Sequence, residues 1–218
     1  EVQRLRKALE DAKMRDLSHS IKGSNKDVPV KIEPQSAQSE RKEIILEESS
    51  IKVPLYQKAD ITVSTNYEPH ERPIGEVINI LKEIIEVEGP IHSNEIARRY
   101  ASSHGKSRVG SRISDYVEKS LNIAERDGHI KSNGPFWATE HQLSNVPVRD
   151  RSNESVPTTN AENISNMEII ACATLIVEDS GKVDEEELVR VIAKTLGFKR
   201  AGPDFQTHVK NCLSTIKK

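Results

Sequence analysis

The chain has 218 residues, 35% of them apolar and 30% charged, with a net charge of −2. That apolar share is too small for every segment to lie in a packed core, so one or two domains joined by solvated stretches are expected. The near-neutral total excludes a uniformly basic nucleic-acid binder, and no apolar run approaches the roughly 18 residues of a membrane span.

Residues 1–17 place Val2, Leu5, Ala8, Leu9 and Ala12 at helical spacing. An isolated helix of that length is marginal in water, so it is read as packing on a preceding domain, with the chain a piece of something longer. Residues 18–66 are polar, scattered with Pro and Ser, and without a sustained period, which is the composition of a flexible linker. The end of that stretch, Val53-Pro54-Leu55-Tyr56, is expected to dock on the domain that follows.

That domain spans 67–148. Pro73 opens a helix whose apolar stripe is Val77, Ile78, Leu81, Ile84 and Ile85. Gly89-Pro90 stops it, with Gly89 suited to a left-handed cap and Pro90 unable to continue. Ile91 reads as a lone extended residue. His92-Ser93 then starts a second helix with Ile96, Ala97 and Tyr100 inward, and Gly105 ends it. After a short turn, Ile113, Val117, Leu121 and Ala124 predict a third helix. Gly128 to Thr139 reads as strand, turn, strand, with Asn133-Gly134 as the turn because that pair tolerates positive φ at both positions. Three helices followed by a hairpin wing is the winged helix-turn-helix arrangement, so the predicted class is mainly α.

Linker character returns after the hairpin and 149–165 are assigned to it. Residues 166–218 then repeat the first unit. Sliding 76–125 onto 168–217 gives thirteen identities in fifty positions, among them Glu76/Glu168, Gly89/Gly181, Glu95/Glu187, Arg98/Arg190, Gly105/Gly197 and Arg108/Arg200. The apolar positions recur as well, which chance rarely produces, so both copies should share a fold. Asp184 and Glu187 predict a capping box. The second copy stops before a hairpin and is read as wingless. Cys172 and Cys212 align with Ile80 and Ser120 and form no CxxC, so they read as buried helical thiols of a cytoplasmic protein.

No catalytic centre emerges. Gly105-Lys106-Ser107 looks like the end of a phosphate loop, but Tyr100 stands where that loop needs its first Gly, and a helix precedes it instead of a strand. Asp179-Ser180-Gly181 lacks the alternating carboxylates of a calcium loop. His92, His104 and His129 have no metal-ligand spacing. No metal, cofactor or enzyme activity is implied for these residues. Charge is the remaining signal: 89–139 and 181–218 each hold eight Lys/Arg against five Asp/Glu, so each block is +3 and the remainder −8. In helix-turn-helix docking the third helix enters the major groove and the second crosses the backbone. That geometry places Ser107, Arg108, Ser111 and Arg112 at the leading end, Arg98 and Arg99 beside phosphates, and Lys131 and Asn133 at the wing tip. The rival reading is that the arginines pair with Glu86 or Glu95 and that the unit binds protein.

The runs Glu88-Gly89-Pro90-Ile91-His92, Glu95 to Arg99, Gly105 to Arg112, Phe136-Trp137 and Leu196 to Gly202 add a family likeness. They resemble the C-terminal domain, of unassigned function, of large bacterial and archaeal superfamily 1 helicase-like proteins that also carry a restriction-endonuclease-like domain. The resemblance implies a noncatalytic DNA-binding accessory module, with duplex or forked DNA and the preceding helicase and nuclease-like domains as partners, and no membrane. The alternative it leaves open is an interaction or structural module that organises those domains.

Overall fold

The computed structural model of the protein describes residues 51–64, 66–154 and 158–216. The expected leading helix at 1–17 lies outside them. Among the described residues the chain is mainly helical, with seven helices and one small antiparallel sheet. The first unit comprises α1 (Ile74–Glu88), β1 (Ile91–His92), α2 (Ser93–Ser103), α3 (Ser111–Arg126), β2 (Lys131–Asn133), β3 (Phe136–Ala138) and the short α4 (Glu140–Ser144). The second comprises α5 (Asn166–Ser180), α6 (Glu185–Thr195) and α7 (Pro203–Ile216). A shift of 92 residues carries both ends of α1 onto α5, both ends of α2 onto α6, and the start of α3 onto that of α7.

Each unit buries its own apolar stripe. In the first, Leu81, Ile84 and Ile85 of α1 meet Ile96 and Tyr100 of α2 and Val117 and Leu121 of α3. In the second, Ile169, Ala173 and Ile176 of α5 meet Leu188 and Ile192 of α6 and Phe205 and Val209 of α7. Cys172 and Cys212 are buried free thiols within that second core, and burial pushes both up, Cys212 to about 12.

The sheet order is β1-β3-β2, with Ile91 opposite Trp137 and Asn133 opposite Phe136. That register moves the turn by one residue from the expected Asn133-Gly134 to Gly134-Pro135. Gly134 takes φ +59 at the first turn position. Pro135, which has no N–H, fits the second position and could not donate to a ladder. Asn133 becomes the last strand residue.

Gly89 also departs from expectation. Its φ is −67 and ψ 149, which is extended backbone open to any residue. Close approach is what demands glycine: a Cβ there would lie 2.3 Å from Gln142 Oε1 and 2.6 Å from the Ile85 carbonyl. Gln142, fixed by a capping box with Thr139, donates its amide to the carbonyls of Ile85 and Glu86 and so caps α1. At the matching position Gly181 does take φ +75. In α6, Asp184 accepts from the amides of Glu186 and Glu187, but Glu187 turns to Arg190 at 3.0 Å, so only half of the expected box forms.

The described parts of the stretches expected as linkers pack on the two units through particular residues, among them Ile51, Val53, Ala59 and Ile61. Leu55 and Asp150 form a parallel bridge, with Tyr56 N donating to Asp150 O and Asp150 N to Pro54 O. Arg151 N then donates to Leu196 O at the end of α6. Behind this crossing lies a buried polar seam between the units. Arg151 grips Glu168 with two bonds of 2.8 and 2.7 Å, and Arg149 N adds a third at 3.1 Å. Both guanidinium groups sit over the Tyr56 ring, at 4.9 and 4.8 Å. Tyr56 donates its hydroxyl to Glu88 Oε2 at 2.8 Å, and Arg149 Nη1 donates to the Glu88 carbonyl. Paired charge of this kind is what lets a polar connector be buried.

Candidate nucleic-acid interface

The candidate site is built by α2, the turn after it, and the start of α3. Gly105, at φ +70, ends α2 and turns the chain toward α3. His92 caps α2 by accepting from Asn94 N, and burial lowers its basicity. His104 is buried between Arg72 and the Tyr100 carbonyl; burial and the Arg72 charge lower its basicity against the opposing backbone bond. Among the described residues no group of three metal-ligating side chains converges.

The eight predicted contact residues separate into two sets. Ser107, Arg108, Ser111 and Arg112 are all exposed around the start of α3, and neither arginine has a carboxylate partner among the described residues. Helix α3 begins at Gly110 with no side-chain cap and no acid in its first turn, so the positive end of its dipole is unopposed. A cleft of about 760 Å³ opens there, lined by Ala97, Arg98, Ala101, Lys106, Arg108 and Ser111. Lys106 keeps an exposed pair with Glu68 at 2.9 Å. Such a surface can accept an anion through side-chain cations and backbone amides together.

The other residues are engaged within the molecule. Arg98 pairs with Glu95 one turn before it, although its side chain is 39% exposed on the cleft. Arg99 turns into the seam, donating to Glu88 at 3.0 Å and approaching Glu95 and Thr158 at 3.4 and 3.3 Å. It also borders the cleft beside Arg98, with 15% of its side chain exposed. Asn133 is only 7% exposed and donates to Met167 Sδ at 3.1 Å, so it supports the second unit instead of tipping a wing. Lys131 is exposed but pairs with Glu140 at 3.1 Å.

The Glu95 carboxylate spans both sets. One oxygen faces Arg98 in the cleft and the other faces Arg99 and Thr158 in the seam. Tyr56 docks on the first unit as the sequence led one to expect, whereas the seam roles of Glu88, Arg149, Arg151 and Glu168 were missed. Two signals pointed to them: Arg149 and Arg151 alternate, which puts them on one side of an extended segment, and Glu168 repeats Glu76.

Residues 68–115, from just before α1 into the start of α3, match a family described as "Protein of unknown function (DUF3320)". No curated protein and no solved structure matches the chain. No described helix is long and apolar enough to cross a membrane.

Proposed function

We propose that this region is a noncatalytic DNA-binding accessory module: the first unit acts as a winged helix-turn-helix and the second helical unit braces it. The supporting observation is the pair of exposed, unpartnered arginines, Arg108 and Arg112, set with Ser107 and Ser111 around an uncapped helix start. Docked on a duplex, α3 leads with these residues into the major groove, while Arg98 on α2 faces the backbone after exchanging Glu95 for a phosphate. Arginine suits that role because its planar fork matches a phosphate with two bonds. The likeness to superfamily 1 helicase-like proteins extends the proposal: the module sits beside helicase and nuclease-like domains of one chain and presents duplex or forked DNA to them.

A second reading has its own observation. Arg99, Asn133 and Lys131 are held by Glu88, Met167 and Glu140, which favours an interaction or structural module. The two are separated by titrating the full chain with duplex, forked and single-stranded oligonucleotides at two salt concentrations. On the DNA reading, Arg108→Ala with Arg112→Ala weakens duplex binding and flattens the salt slope by about one unit for each phosphate no longer neutralised. Unchanged binding by that variant selects the interaction module.

A further inference from the structure

We infer that α3 reads base sequence, preferring a short duplex motif that contains G·C pairs. This deepens the DNA-binding reading above and rests on it. Helix α3 buries Ile113, Val117, Leu121 and Ala124, and its opposite stripe carries Arg112, Asp115, Glu118, Lys119 and Asn122, all exposed. At 100° per residue those five fall on one face. None of them has an ion pair or side-chain hydrogen bond among the described residues, so each is available to a ligand.

A helix that only gripped phosphates would gain nothing from Asp115 and Glu118. In the field of a polyanion a carboxylate is repelled unless it finds a donor. In the major groove, cytosine N4 supplies that donor to Asp or Glu, guanine O6 and N7 accept from Arg or Lys, and adenine pairs with Asn. The stripe therefore carries two groups for guanine (Arg112 and Lys119), two for cytosine and one for adenine, while Arg108 beside it supplies the sequence-independent attraction. From Arg112 to Asn122 the helix rises roughly 15 Å, enough to face about four base pairs at 3.4 Å each. The same carboxylates disfavour duplexes that lack a cytosine at the facing position, which is discrimination by repulsion.

The test is selection from a random duplex pool by the full chain, followed by titration of the selected and scrambled duplexes. The expected result is a G·C-containing motif of about four base pairs, bound about tenfold or more tightly than the scramble. Asp115→Asn with Glu118→Gln should erase the preference at the cytosine positions and strengthen binding to the scramble. Both changes are on exposed residues, and an unaltered unfolding midpoint confirms the fold. An unenriched pool, or an identical motif from the double variant, overturns the inference. If the pool stays random while Arg108→Ala with Arg112→Ala still weakens binding, sequence reading alone falls. If neither pool nor variant responds, DNA binding falls with it.

Discussion

The two units share one frame and differ in what surrounds it. Position 112 of the first is Arg, whereas the matching position 204 is Asp in the first turn of α7, where it opposes the helix dipole. The start of α2 carries one acid, Glu95, but α6 opens on Glu185, Glu186 and Glu187. The repeated Glu–Arg pair one turn apart survives in both, as Glu95–Arg98 and Glu187–Arg190. Most identities between the copies mark the shared scaffold, although Arg108 recurs as Arg200. The third helix starts differ in charge: α3 has no acid in its first turn, whereas α7 carries Asp204.

The sharpest contrast is between two identical residues. Glu76 has a side chain 51% exposed and pairs with Arg72, while Glu168 at the same repeat position is fully buried under Arg151 and Arg149. Glu168→Ala strands two buried guanidinium groups and should cost about 3–5 kcal/mol, whereas Glu76→Ala leaves the buried Arg72 still bonded to His104 and the Ser64 carbonyl and should cost less, about 1–3 kcal/mol. Denaturant midpoints of the two variants check this, and equal losses would break the comparison.

Acid should expose the same asymmetry more gradually. Burial alone would raise the Glu168 carboxyl, but Arg151 and Arg149 outweigh it and hold it below its ordinary 4.5. Because the folded form binds the proton more weakly than the unfolded chain, this stabilisation is whole above about 4.5 and drains as pH falls through the lowered folded value. The thermal midpoint should fall across that window and fall less steeply in Glu168→Gln. Parallel slopes would remove Glu168 from the account.

A smaller effect separates two glycines. Gly105 and Gly197 both have positive φ, +70 and +84. Around Gly105 a Cβ would meet open space, but at Gly197 it would lie 2.3 Å from Ser152 N and 2.6 Å from Arg151 N. Gly105→Ala should cost about 1–2 kcal/mol of left-handed strain, and Gly197→Ala more, because backbone must also move. Equal thermal shifts would argue against the connector crossing there.

Much of this frame was legible beforehand. Core spacing and helix punctuation located α1, α2 and α3, and the 92-residue offset carried them onto α5, α6 and α7. Helix α4 was missed, although Thr139 and Gln142 carry its capping box, because five residues are too few to show a period. The connectors were misjudged for a different reason. Arg149, Asp150 and Arg151 have the composition of a solvated loop, and only a distant Glu168 turns them inward. Arg98 and Arg99 are nearly indistinguishable in sequence and both border the cleft, but Arg99 alone also reaches Glu88. At Gly89 the glycine was read as a conformational requirement, whereas a side chain 53 residues on makes the demand.

The Glu88 carboxylate has a consequence for dissecting the molecule. Its ligands come from Tyr56 and Ala59 upstream and from Arg99 nearby, and Arg149 holds the carbonyl of the same residue. A fragment trimmed to the first bundle alone, starting at 67 and ending at 148, would keep the anion and discard three of the four groups gathered around this residue. A fragment that keeps all four of these contacts therefore carries both bundles and both crossing segments.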